Sequence, residues 1–221
     1  MITTSTSSTS TDPTRPSGIR DYVREDPLKI VDWKATAKAQ SLRVRTYEPS
    51  SAYSLILAVA TDTTAPYWGT YRPRDLELVI TAAAAFAGYA AEQQYSFGLF
   101  SNDMPVQPHR PMIVAPGRGP DQLSLVLEAL ATIRPYAVGP MSTLLSQHSG
   151  RFPFGATLIV STAFLPSEFV ETLSDLKGRG YKIVVLYVGE GECPNVAEGI
   201  LVYEPREHLV RLEEESEVLA G

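Results

Sequence analysis

Residues 54–61 read SLILAVAT, a short and continuously apolar run with no charge in it. Such a run has no alternation that would leave one face in water, so it is expected to be a central strand covered on both faces. Two later stretches, ATLIVST at 156–162 and YKIVVLYVG at 181–189, read the same way apart from Lys182 near the start of the second. Between them the period changes. Residues 74–93 place Leu76, Val79, Ile80, Ala83, Ala87 and Ala90 on one helical face, widened by Leu78, Phe86 and Tyr89, which predicts a helix buried on more than one side. Residues 166–177 repeat the pattern with Phe169, Leu173 and Leu176, and Gly178 and Gly180 close it. Strands that alternate with helices predict an α/β fold of three layers, a mostly parallel central sheet with helices on both faces.

Weaker signals fill the remaining sequence. SFGLFSN at 96–102 and PMIVA at 111–115 read as strands joined by a Pro-rich connection, and Asp121 is expected to cap a helix that runs to Ile133. Residues 141–147 suit another short helix, and GILVYE at 199–204 a last short strand. Gly117-Arg118-Gly119 lacks the third glycine of a dinucleotide fingerprint and reads as a turn. Nearer the front, Leu42, Val44 and Thr46 alternate with Arg43, Arg45 and Tyr47, the period of a half-exposed edge strand.

Composition narrows the function. A chain of 221 residues with 44% hydrophobic content can bury an α/β core without disulfides or metals. Its net charge of −6 supplies no basic stripe, so nucleic acid is not an expected partner. The single cysteine, Cys193, has no partner for an internal disulfide and reads as a structural thiol in a reducing compartment. The first 17 residues are Ser/Thr/Pro-rich and are expected to be disordered; they lack the basic start and apolar core of a secretory signal. The apolar stretch Leu76–Ala91 is shorter than the ~20 residues a membrane span needs and carries Glu77, so it reads as a buried helix. The expected organisation is a tail at 1–17, a segment with an edge strand at 18–50, an α/β domain at 51–205, and an acidic C-terminal helix or tail at 206–221.

No enzyme is expected. The histidines are His109, His148 and His208, and none lies in a nucleophile elbow or a zinc-protease frame; a phosphate loop is also missing. Ser146 and Ser149 flank His148, but neighbours this close on a helix do not face one another. Glu204, Glu207 and His208 suit surface solvation better than a metal, as do Glu213, Glu214, Glu215 and Glu217.

Residues 18–38, GIRDYVREDPLKIVDWKATAK, carry a motif: Gly18, Arg20, Tyr22 and Asp26, then Lys29, then Asp32, Trp33, Lys34, Thr36, Ala37 and Lys38. In this order, ahead of a buried strand and an Ala-rich helix, it resembles the signature of the domain of unknown function 58 family, proteins with a von Willebrand factor A-like fold. The resemblance spans roughly residues 17–204, with Glu25 where the family has Gly and Lys38 where it has Arg. It implies a von Willebrand factor A-like three-layer fold, and a metal-ion-dependent adhesion site at the carboxyl ends of the strands.

That site would hold magnesium on hard oxygens. Its first-loop positions fall on Ala60, Asp62 and Thr64, its second on Val138, Gly139 and Pro140 with Ser142 and Thr143 just beyond, and its third on Thr162 after Ser161. Two carboxylates of the family pattern are replaced, so no metal is expected; the alternative places Mg on Asp62 and Thr64. The plainer role for Asp62 is an Asx turn with the following threonines. Tyr67, Trp68 and Tyr71 form an aromatic loop at the same edge, either a lid over the core or a partner contact. In the front motif, Arg20, Asp26, Asp32, Lys34 and Lys38 either fasten the segment to the domain with Trp33 plugged into apolar surface, or present a docking face together with Tyr22.

The resemblance further implies a membrane-associated prokaryotic system whose members act with a MoxR-type AAA+ ATPase. Typical members carry transmembrane helices ahead of the motif, so this chain is expected to be a cytoplasmic domain, at the inner face of the membrane, serving as a non-enzymatic adaptor or scaffold.

Overall fold

In the computed structural model the described residues are 16–23, 31–47, 54–103 and 111–220. The chain divides into two units, Met1–Ala52 and Tyr53–Gly221.

In the first unit, β1 (Pro16–Asp21), the seven-residue helix α1 (Trp33–Ala39) and β2 (Arg43–Tyr47) follow in order. β1 and β2 pair antiparallel as a two-stranded sheet of their own. β2 is an edge strand, as its alternation predicts, and finds its hydrogen bonds in β1. Val44 is buried as the alternation requires, but Leu42 is 42% exposed, because it precedes the strand. The side chain of Asp32 caps α1, accepting from Ala35 N at 2.9 Å, and Gln40 ends the helix in the left-handed region at φ 52°.

In the second unit a six-stranded sheet runs in the order β5-β4-β3-β6-β7-β8, formed by β3 (Ser54–Val59), β4 (Ser96–Ser101), β5 (Met112–Gly117), β6 (Thr157–Thr162), β7 (Lys182–Tyr187) and β8 (Leu201–Tyr203). All pairs are parallel except β4 with β5. The helices are α2 (Pro73–Glu92), α3 (Gln122–Ala131), α4 (Met141–His148), α5 (Ser167–Gly178) and α6 (Arg206–Ala220).

The continuous apolar run of β3 is explained by its two coverings. Leu55, Leu57 and Val59 pack with α2, α3 and α6 through Leu78, Val79, Val126, Leu130 and Leu209. Ile56, Ala58 and Ala60 pack with α4 and α5 through Met141, Leu145, Phe169, Leu173 and Leu176. The three-layer α/β architecture expected from the sequence is the one observed. Two local expectations fail. Tyr89 is 48% exposed, so the buried face of α2 is narrower than its period suggests. Asp121 stands at the N-cap of α3 but makes no side-chain cap bond, since its backbone is already helical (φ −86°, ψ −5°).

From β3 the chain builds outward through β4 and β5 on one side, then returns to add β6, β7 and β8 on the other. Strand order thus reverses at β3, and the crevice beyond the carboxyl ends of β3 and β6 is where this class of sheet presents a site.

Candidate functional site

The loop that leaves β3 is held rigidly. Thr63 Oγ1 accepts from Arg72 N at 2.8 Å, Thr64 Oγ1 donates to Thr70 O, and Gly69 N donates to Pro66 O at 2.9 Å. These bonds cross the loop at its base and middle, and its apex carries the aromatics. Tyr67 is half-buried and meets Trp68 edge-on at 4.8 Å between ring centroids. Trp68 is 73% exposed and Tyr71 44% exposed. Of the two readings of this loop, the lid requires buried rings; Trp68 and Tyr71 face solvent instead.

Beside the loop lies a cleft of about 610 Å³, bounded by Thr64, Thr70, Arg72, Phe164, Tyr187 and Glu190. A charged network forms part of its wall. Arg72 Nη1 lies 3.2 Å from Glu190 Oε2 and 3.6 Å from Asp75 Oδ2. Arg206 Nη1 donates to Asp75 Oδ1 at 2.7 Å and also to Val188 O, while its Nη2 lies 3.6 Å from Glu190 Oε1. Burial, chiefly, holds the Tyr187 hydroxyl above its ordinary pKa. The same cause pushes the Cys193 thiol up to about 11, with Glu204 adding to it. Cys193 is therefore a protonated thiol at neutral pH and a poor nucleophile.

Below the loop, Asp62 does not form the expected Asx turn. Its Oδ1 accepts from Asn102 Nδ2 at 2.8 Å and its Oδ2 from Met141 N at 3.2 Å. The carboxylate thus joins loops distant in sequence. Burial raises its pKa from 3.8 to about 6, against the lowering effect of the Met141 and Asn102 donors.

The positions where an adhesion-site ion would be held do not assemble an oxygen cage. Both oxygens of Asp62 face N–H donors, and Thr64 Oγ1 turns to Thr70. Thr162 Oγ1 donates to Phe164 O at 2.8 Å, and Ser161 Oγ donates to Val79 O at 2.8 Å. Ser142 is buried. A hard cation needs several inward oxygens, and these residues do not fit one. Among the described residues no group of three His, Cys, Asp or Glu side chains comes together.

In the first unit, Arg20 is exposed and donates to Asp21 O at 3.0 Å. Tyr22 is half-buried, with its N donating to Leu42 O at 3.0 Å. Lys34 and Lys38 are exposed on α1. Trp33 opens that helix and is 67% exposed. Asp26 lies outside the described residues. Of the flanking serines, Ser149 Oγ donates to Ser146 O at 2.9 Å, and His148 Nδ1 faces Leu144 O at 3.2 Å.

Sequence reasoning passed over Asn102, Asp75, Glu190 and Arg206. The signal was polarity beside apolarity: an Asn directly after an apolar strand, and an acid in the first turn of a largely apolar helix.

The family model described as "Protein of unknown function DUF58" matches residues 18–216. No curated protein is similar to the sequence. Among solved structures, the chain is similar to "von Willebrand factor type A from Catenulispora acidiphila" at 14% identity and TM-score 0.43, covering 79% of this chain and 43% of that one. It is also similar to the structure titled "Crystal Structure of the SpRpn10 VWA domain" at 8% identity and TM-score 0.42, covering 73% of this chain and 95% of that one. This chain thus spans under half the length of the Catenulispora structure.

Proposed function

This chain belongs to the DUF58 family, and we propose that it is a non-enzymatic protein-interaction domain that docks its partner through the aromatic loop at the carboxyl ends of the strands. The observation that carries the reading is the exposure of Trp68 and Tyr71 on a loop already fixed by its own hydrogen bonds. Large aromatics that face solvent from a rigid support lose little conformational freedom on binding, and such residues dominate interface energetics. The cleft alongside, with Arg72 and Glu190 at its wall, adds polar groups that fix the orientation of a bound segment.

The partner proposed is a MoxR-type AAA+ ATPase, on the family resemblance, in a prokaryotic assembly or chaperone-like system at the inner face of the membrane. Among the described residues no helix is long and apolar enough to cross a membrane, and the cytoplasmic location is part of the same proposal. Calorimetric titration of the chain against the purified ATPase tests the reading. Trp68→Ala with Tyr71→Ala is expected to weaken binding at least tenfold while leaving the melting temperature within about 2 °C, because exposed positions contribute little to stability. Binding unchanged in that variant removes the aromatic loop from the interface.

A further inference from the structure

Asn102 follows β4 directly and is fully buried. Its side-chain amide is bonded on both ends. Oδ1 accepts from Thr61 N at 2.8 Å and from Thr61 Oγ1 at 3.2 Å. Nδ2 donates to Asp62 Oδ1 at 2.8 Å and to Gly139 O at 3.0 Å. That fills the capacity of a primary amide, two donated bonds and two accepted. Its orientation is fixed by chemistry, since Thr61 N can only donate and Gly139 O can only accept.

The main chain joins in. Val138 N donates to Asn102 O at 2.8 Å, and Met141 N, at the start of α4, donates to Asp62 Oδ2 at 3.2 Å. Three segments therefore meet on one side chain: the loop after β3, the end of β4, and the turn that enters α4. These include two of the three loops that converge on the ion in a metal-ion-dependent adhesion site.

We propose that the Asn102 carboxamide takes the structural part that a divalent ion plays in such a site, tying these loops into one arrangement that needs no ion. An ion would draw the same groups together through inward oxygens; here Asp62 Oδ1 and Gly139 O are instead bridged by one –NH2. Unlike an ion, the carboxamide is part of the chain and cannot dissociate into solvent. The loops beneath the aromatic apex are thus fixed whatever the magnesium concentration.

Thermal unfolding of the natural chain and of Asn102→Asp, each in millimolar magnesium, millimolar manganese and chelator, tests this. Asn102→Asp keeps the shape but turns the –NH2 into an oxygen facing Asp62 Oδ1 and Gly139 O. The natural chain is expected to melt at the same temperature in all three media. Asn102→Asp in chelator is expected to melt lower by roughly 5–10 °C, the scale of a broken buried network in a domain of this size. Nuclear magnetic resonance on the natural chain supplies a readout that does not depend on the variant folding: the Asn102 side-chain –NH2 is expected to exchange with solvent at least a hundredfold more slowly than an exposed amide, with or without chelator. A magnesium-dependent rise in melting temperature of the natural chain, rapid exchange of that –NH2, or an Asn102→Asp variant that melts with the natural chain would each overturn the proposal. No partner enters these experiments, so their outcome is separate from that of the docking titration.

Discussion

Arg206 Nη1 lies 2.7 Å from Asp75 Oδ1, joining residues 131 positions apart at the first turns of α6 and α2. Asp75 is buried, and its other oxygen has only Arg72, 3.6 Å away. The pair is thus a clasp between two helices on one face of the sheet. A buried charge that loses its partner is costly, whereas removal of both charges is far less so. Arg206→Met is expected to lower stability by about 3 kcal/mol, and Arg206→Met with Asp75→Leu to recover most of that loss. Urea denaturation of Arg206→Met, Asp75→Leu and the double variant checks it; a double variant as unstable as the sum of its single changes would show that the two charges are not coupled.

Asp62 gives a pH dependence of unusual sign. Its folded-state pKa of about 6 lies above the ordinary 3.8, chiefly through burial, so the native state favours the neutral acid. The stability contributed by that neutral form is fully present below pH 3.8 and is lost as pH rises through about 6. The displacement corresponds to roughly 3 kcal/mol. Other carboxylates tilt the profile in their own ways, so the quantity to measure is the difference between the natural chain and Asp62→Asn. That difference is expected to change by roughly 3 kcal/mol between pH 3.5 and 7, at the expense of the natural chain. Parallel profiles would mean that Asp62 titrates as an exposed acid.

Trp33→Ala is expected to change the unfolding free energy by less than about 0.5 kcal/mol, as exposed substitutions usually do. A ring sunk in a core would cost ~3 kcal/mol or more. Chemical denaturation followed by a probe other than tryptophan fluorescence separates the two. α1 buries no side chain, which is why the small value is expected.

Gly98→Ala is expected to destabilise by about 1–3 kcal/mol, the range of overpacked positions. A Cβ at residue 98 would lie 2.5 Å from Val114 O and 2.7 Å from Pro116 N. Here the β4–β5 register is irregular between Phe97 and Leu99, and Gln122 Nε2 bonds Phe97 O at 2.7 Å and Ala115 O at 3.0 Å to make up for the broken ladder. Thermal unfolding of Gly98→Ala measures the cost; an unchanged midpoint would show that the irregular pairing yields easily.

The layers of this fold were readable because burial on both faces leaves a direct mark on sequence. β3, β6 and β7 are continuous apolar runs for that reason, and no partner strand need be known to recognise them. Tyr89 was misread because helical period gives the direction of an apolar face but not where the neighbouring layer stops. The node of Asp62 and Asn102 was out of reach for a different reason. The two residues are 40 positions apart, and they meet only because the sheet seats β4 beside β3. A lone Asp before two threonines looks the same whether it turns on its own backbone or reaches across to another loop. The family pattern drew attention to Asp62 and Gly139, yet the residue that links them, Asn102, lies outside that pattern.

The sheet ends at β8, only three residues long, with Leu201 and Tyr203 exposed. An open sheet edge invites a second copy of the chain to pair with it, and apolar residues there sharpen the hazard. This edge offers very little to pair with: beyond Tyr203 come Glu204, a charge, and Pro205, which has no N–H to give. The ladder runs out within one strand's width of starting. Brevity at this margin therefore works as a guard against fibrous association, and lengthening the strand by replacing Pro205 would remove the guard without touching the core.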